Sequence, residues 1–231
     1  MKPALIFDLD DTLYPERQFI RSGFHAVAAE VARRFAVSQR AALASLLRAL
    51  RQGTRGLALQ VLCADHQLPV ALVPELVELI RTHVPVLTLP RSSANTLAAA
   101  RARGWRVGVL TNGPPAQQAR KVAALGLAGL VDALVYAHAC GDRTGKPARG
   151  AFEAVLAELG ALPASSVFVG DDPWCDISGA RLAGLRTILL CRTARCEHLA
   201  PSCEPDVSVR DIGDVIAAAA HLLNGRRADE V

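Results

Sequence analysis

Two rhythms of apolar residues alternate along the chain. Ala4-Leu5-Ile6-Phe7 is an unbroken apolar run, and comparable short runs recur over Trp105 to Leu110, Ala133 to Tyr136, Ser166 to Val169 and Thr187 to Leu190. Runs of this length are what strands show when both faces of a parallel sheet are covered. Between them the spacing becomes helical, over Ser93 to Arg103, from Pro114 to near Gly126, over Phe152 to Leu159 and over Ile177 to Ala183. Asp206 to Val209 reads as an edge strand and Ile212 to Leu223 as a last helix, before a polar tail from Arg226 to Val231 that is expected to fray. Residues 13–88 hold helical patterns without strands: Glu16 to Phe35, then Ser38 as an N-cap for a helix through Arg51 closed by Gly53, then Leu57 to His66 and Val73 to His83. Pro69, Pro74 and Pro85 punctuate the last two. The expected fold class is therefore α/β, a Rossmann-like parallel sheet with helices on both faces, plus a small all-α domain inserted after the first strand. The core comprises 1–12 and 89–231, and the insert 13–88.

Composition narrows this picture only a little. The 231 residues are 51% hydrophobic, enough for a sizeable core and too apolar for disorder. No apolar run approaches the roughly 20 residues that span a bilayer, and no basic, leader-like segment precedes the first strand. A soluble cytoplasmic protein is expected. Six cysteines are too sparse in this length for a disulfide scaffold, so most are expected reduced. Cys191, Cys196, His198 and Cys203 lack the close Cys pairs of a structural zinc site. The formal charge of +4 is uneven: residues 13–88 carry nine Arg against five acids, which accounts for all of it. An anionic substrate is compatible with that excess, whereas no basic tract interleaved with aromatics or nucleic-acid motif appears.

The chemistry is concentrated where strands end. Asp8, Asp10 and Asp11 follow the first strand, with Thr12 beside them, and carboxylates so crowded resist ionising together unless a cation or hydrogen bonds hold them. Thr111 and Asn112 end the second strand, Lys146 lies in the loop after the third, and Asp171 and Asp172 follow the fourth, with Asp176 close behind. Parallel strands joined by right-handed crossovers bring these ends to one edge. Lys146 is informative because lysine occurs three times, at Lys2, Lys121 and Lys146, in a chain that otherwise uses arginine. Against this stand plainer uses. Asp8 alone could end a strand or cap a helix, Asp11 and Asp172 could be local hydrogen-bond partners, and Thr12 could tie a turn. His25, His66 and His83 read as ordinary surface or core residues, and Trp174 as either core or entrance.

Asp8-Leu9-Asp10-Asp11-Thr12, Leu110-Thr111-Asn112, Lys146-Pro147 and Gly170-Asp171-Asp172 through Asp176 resemble, in order, the four motifs of the haloacid-dehalogenase-like (HAD) hydrolases. The resemblance runs along nearly the whole chain. It implies a Mg2+-dependent phosphatase in which Asp8 attacks phosphorus and Asp10 serves as general acid and base. Mg2+ would be held by Asp8, the Asp10 carbonyl and Asp171. Thr111, Asn112 and Lys146 would bind the phosphoryl group, and Asp176 would orient Lys146 or a metal-bound water, with Asp172 as a neighbour. The insert corresponds to a helical cap that gates the site, with Tyr14, Arg17, Arg21 and His25 near its connection. The implied substrate is a small phosphate monoester, such as a nucleoside monophosphate or sugar phosphate. A dehalogenase of the same family, which lacks the second carboxylate and needs no metal, stays open as an alternative. So do a phosphomutase and a non-catalytic binding module.

Overall fold

The structure, a computed structural model, describes residues 2–141, 143–192 and 200–225. Along the chain β1 (Ala4–Phe7) is followed by α1 (Arg17–Arg34), α2 (Gln39–Arg51), α3 (Ala58–Asp65), α4 (Val73–Thr82) and α5 (Arg91–Ala102). Then come β2 (Arg106–Thr111), α6 (Pro115–Ala124), β3 (Ala133–Tyr136), α7 (Arg149–Leu159) and β4 (Ser166–Gly170). A π-helical turn at Pro173–Ser178 runs directly into α8 (Gly179–Leu182), and β5 (Arg186–Leu190), β6 (Val207–Val209) and α9 (Val215–Asn224) complete the order. The tail from Arg226 and two of the cysteine-cluster residues, Cys196 and His198, lie outside the described residues. Among the others Cys63, Cys140, Cys175 and Cys203 are free thiols, whereas Cys191 is disulfide-bonded.

Two units divide the chain, one of Met1–Pro15 with Thr88–Val231 and one of Glu16–Leu87. The first is built on a six-stranded sheet in the order β3-β2-β1-β4-β5-β6, every neighbouring pair parallel. β1 is central, and its alternation divides the core. Ala4 and Ile6 face a cluster with Leu110, Val135 and Phe168 of the sheet and Phe152, Val155, Leu156 and Leu159 of α7. Phe152 meets Phe168 edge-on, with ring centroids 5.1 Å apart. Helices α5 and α9 pack on each other and against β2, β4 and β5. Each fully buried aliphatic or Phe side chain contributes about 1.5–3 kcal/mol, so these layers hold the strand ends rigidly.

Helix starts are where the structure departs most from the pattern. The helix expected from Ile177 begins four residues sooner, because Asp172 accepts hydrogen bonds from the N–H groups of Trp174 and Cys175, both at 2.8 Å, and caps the π turn. Helix α7 likewise starts at Arg149, before its apolar stripe.

The Glu16–Leu87 unit is all helix. Ile20, Phe24, Val27, Ala28 and Val31 recur on one face of α1 and pack with Ala42, Leu46 and Ala49 of α2, Leu59, Leu62 and Cys63 of α3 and Leu76 of α4. Ser38 caps α2 by accepting from the Ala41 N–H at 3.2 Å. His83 has a structural part: Nδ1 donates to the Ile80 carbonyl at 2.7 Å, and Nε2 lies 3.0 Å from Ser22 Oγ. Ser22 Oγ also accepts from the Val86 N–H at 2.9 Å.

Close packing around α8 gives a test of the core. A Cβ on Gly179 would lie 2.6 Å from Phe152 Cε2 and 2.8 Å from Pro147 Cα. Gly179→Ala is expected to destabilise the sheet unit by about 1–3 kcal/mol through overpacking, read as a lowered urea midpoint.

Candidate active site

Strand geometry puts the polar groups at one edge. Asp8 continues β1, its N–H still bonded to the Val169 carbonyl at 2.8 Å, and Asp171 follows β4 on the neighbouring strand. β1 and β4 flank the point where the strand order reverses, the usual ligand crevice of such sheets. Thr111 ends β2 on the other side of β1.

Lys146 is the junction of three segments. Its ammonium, buried, donates to Asp8 Oδ1 at 2.5 Å and to Asp176 Oδ1 at 2.6 Å. The Asn112 side chain holds the Lys146 main chain at both ends, accepting from its N–H at 2.8 Å and donating to its carbonyl at 2.9 Å. That side chain is thus committed to placing Lys146, and any part Asn112 has in a phosphate cradle falls to its backbone. Asp176 is committed as well: its other oxygen accepts from the N–H groups of Asp171 and Asp172, each at 3.1 Å. Gly170 makes room for it, since a Cβ there would fall on the Asp176 carboxylate.

Asp10 points elsewhere, towards α6. Tyr14 donates its phenol hydrogen to Oδ1 at 2.7 Å, Lys121 Nζ lies 2.8 Å from both oxygens, and Gln118 Nε2 donates to Oδ2 at 2.9 Å. Gln118 also donates to Thr111 Oγ1 at 2.6 Å. Neither Gln118 nor Lys121 stood out as a site residue in the pattern of the chain. The scarcity of lysine was the one signal for Lys121, and a Gln on an amphipathic helix carries none. With its carboxylate turned to α6, Asp10 can meet a cation only through its main-chain carbonyl.

The remaining candidates take supporting places. Asp172 caps the π turn. Asp11 is exposed, has φ 54°, and offers its carbonyl to Arg192 Nη1 at 3.0 Å, while Arg192 Nη2 donates to the Thr12 carbonyl at 3.1 Å. Arg192 was not anticipated. Thr12, fully buried, directs its hydroxyl at Asp171 Oδ1 across 3.4 Å. Trp174 is 61% exposed, which removes it from the core.

Electrostatics favour a cation here. Burial pushes the Asp8 carboxyl well above its usual range, with Asp176 and Asp10 adding to the effect and Lys146 opposing it. Asp171 is pushed up to about 7, by burial first and then by Asp176, Asp11 and Asp172. Burial works against the Lys146 ammonium, but Asp176 and Asp8 outweigh it and keep the group charged. One lysine among three carboxylates leaves an excess of negative charge, and ligand atoms of Asp8, Asp171 and Asp176 lie within 4.8 Å of one another. Oxygen donors in that arrangement suit a hard divalent ion. Both oxygens of Asp176 already have partners, which leaves Asp8 and Asp171 as the candidates in this cluster.

Known proteins resemble the chain to different degrees. A phosphoserine phosphatase of Thermus thermophilus is 38% identical over 124 residues, 54% of this chain and 48% of that protein. The chain thus spans about half the length of that relative. A glyceraldehyde 3-phosphate phosphatase of Methanopyrus kandleri is 28% identical, over 90% of this chain and 91% of its own. Among solved structures, a HAD-hydrolase of Bacillus subtilis bound to magnesium superposes with a TM-score of 0.67 at 18% identity, covering 96% of this chain and 99% of that one. A 2-haloacid dehalogenase of Pseudomonas syringae superposes at 0.64 with 23% identity, over 96% and 99%. At such identities these two share the fold. The model of the haloacid dehalogenase-like hydrolases matches residues 2–184, most of the chain and the ends of β1 to β4, and the chain belongs to that family.

Proposed function

We propose that the chain is a Mg2+-dependent phosphatase that hydrolyses a small phosphate monoester through an aspartyl-phosphate on Asp8. The division between two carboxylates two residues apart carries this reading. Asp8 faces Lys146 and the acidic cluster, while Asp10 faces a shell of proton donors. In the first step an Asp8 oxygen attacks phosphorus, the bond to the leaving oxygen breaks, and Asp10 gives that oxygen a proton. In the second, water attacks phosphorus, Asp10 takes a proton from it, and the bond to Asp8 breaks to release phosphate. Lys146 offsets charge on the phosphoryl oxygens. Thr111 accepts from Gln118 and holds its own proton loosely, towards the Asn112 carbonyl at 3.4 Å, so that proton is available to a phosphoryl oxygen.

Asp8 and Asp171, with the Asp10 carbonyl, would hold the Mg2+. When bound, the ion supplies the neutralisation that lets an anionic nucleophile approach an anionic phosphate. The named relatives act on phosphoserine and glyceraldehyde 3-phosphate, which supports an ester of a small alcohol, in the nucleoside monophosphate or sugar phosphate class. We assign the Glu16–Leu87 unit the part of a cap that selects the leaving group, and its excess of arginine suits an anionic ligand. A dehalogenase has no use for a second carboxylate, and Asp10 with its built shell disfavours that activity here.

A screen across nucleotides, sugar phosphates and phosphoserine is expected to release phosphate with Mg2+ and not with EDTA. Halide release from a 2-haloacid, with no phosphate from any ester, would replace this reading with the dehalogenase one. Asp8→Asn is expected to abolish turnover and the trapping of a phospho-enzyme, and unchanged turnover would remove Asp8 as nucleophile. Because Asp171 is held near about 7, Mg2+ has to displace a proton below that pH. Its apparent affinity is expected to climb by at least about tenfold per unit from pH 5 to 7, since the raised Asp8 carboxyl can release a second proton. Calorimetry in buffers of different ionisation enthalpy reads the released proton, and a flat profile would take Asp171 out of the ligand set.

A further inference from the structure

Helix α6 begins just after β2 and carries two polar residues into the protein interior. Gln118 and Lys121 are three apart, so they share a face, and each is only 1% exposed. Burying an ammonium and an amide costs free energy unless both find partners. Both find Asp10. Lysine occurs three times in the chain, and two of the three, Lys121 and Lys146, are buried against Asp10 and Asp8 of the first motif.

The geometry of the grip is specific. Lys121 Nζ is equidistant, at 2.8 Å, from both oxygens of Asp10, and Gln118 adds a bond at 2.9 Å to Oδ2. A carboxylate otherwise turns easily about its terminal torsion; here rotation would break contacts on both oxygens. Gln118 accepts a cost for this arrangement, because its Oε1 is buried with no hydrogen-bond partner among the described residues. An unsatisfied buried acceptor costs about 1–3 kcal/mol. The opposite amide orientation would set that oxygen against the anionic Oδ2 of Asp10, so the orientation with the orphan is the one in which the amide can hold both Asp10 and Thr111.

We propose that Lys121 and Gln118 are the positioning residues of Asp10: from α6 they fix the direction in which its carboxylate exchanges a proton with the leaving group, without touching substrate. This rests on the phosphatase reading above and deepens it. A proton donor misplaced by about 1 Å can lose about 10²-fold in rate. Loss of the grip therefore acts on kcat and spares substrate binding.

Lys121→Met and Gln118→Met keep length and packing while removing the donors. The Asp10 side chain is 23% exposed, so water can hydrate the carboxylate left behind, and thermal melts check that each variant folds. With Mg2+ and glycerol 3-phosphate, whose alkoxide needs a proton to depart, kcat is expected to fall by about 10²-fold for Lys121→Met and about 10-fold for Gln118→Met. KM is expected to stay within about 3-fold. On an Asp10→Asn background the same substitutions should cost less than about 3-fold, since residues that act as a unit are not additive. Equal losses on both backgrounds, or a raised KM with kcat intact, would overturn the proposal. If the wild-type protein releases no phosphate from any ester, the phosphatase reading fails and a crystal structure of Lys121→Met decides the positioning. A turned Asp10 carboxylate supports it, and an unmoved one refutes it.

Discussion

The site hangs on one buried ammonium. Lys146 joins the end of β1 through Asp8 to the π turn after β4 through Asp176, while Asn112, just past β2, clamps its main chain. Three strand ends and one loop are thereby fixed relative to each other by a point charge. Taking these ions out of water is expensive, and removing one partner of such a pair leaves a buried charge uncompensated. The same low dielectric that makes the arrangement costly makes it directional. Asp176 is the hidden member: by accepting from two consecutive N–H groups it shapes the loop that presents Asp171.

Around that junction Asp8 and Asp10 of the first motif are given different surroundings. Asp8 prolongs the strand, and Leu9, fully buried, anchors the chain between them. Asp10 then falls on the opposite side, in a turn that Asp11 completes at a positive φ and Arg192 braces from beyond β5. Each aspartate has its own lysine. A compact ammonium can sit equidistant from two oxygens in a closed pocket, which a planar guanidinium would overfill.

Much of this was legible in the chain and some was not, for physical reasons. The parallel sheet could be read because strands buried on both faces are written as continuous apolar runs, such as Val107 to Leu110. Asp8, Thr111, Lys146 and Asp171 could be read because they follow such runs, and the topology then brings them together. Gln118 and Lys121 could not, since on an amphipathic helix a Gln and a Lys are what a solvated face also shows, and burial is decided by the tertiary fold. The Asn112 side-chain amide serves the Lys146 backbone, a pairing across 34 positions that no local pattern encodes and one that leaves the expected phosphate contact to the Asn112 backbone. The π turn starts ahead of the apolar stripe because its cap, Asp172, is a polar residue that hydrophobic spacing does not mark.

The position of β1 also governs the order in which the molecule can come into being. Ala4 pairs with Arg106 on one side and Ser166 on the other, so among these six strands β1 waits longest for both its neighbours. The Glu16–Leu87 helices need no such wait, since their core lies within their own stretch of chain. Local contacts form faster than distant ones. A nascent chain therefore carries an apolar Ala-Leu-Ile-Phe segment without its sheet while the local contacts of the helical unit can already form, and Asp8 at its end lacks its buried surroundings until the fourth strand docks. Silence during synthesis is built into the topology.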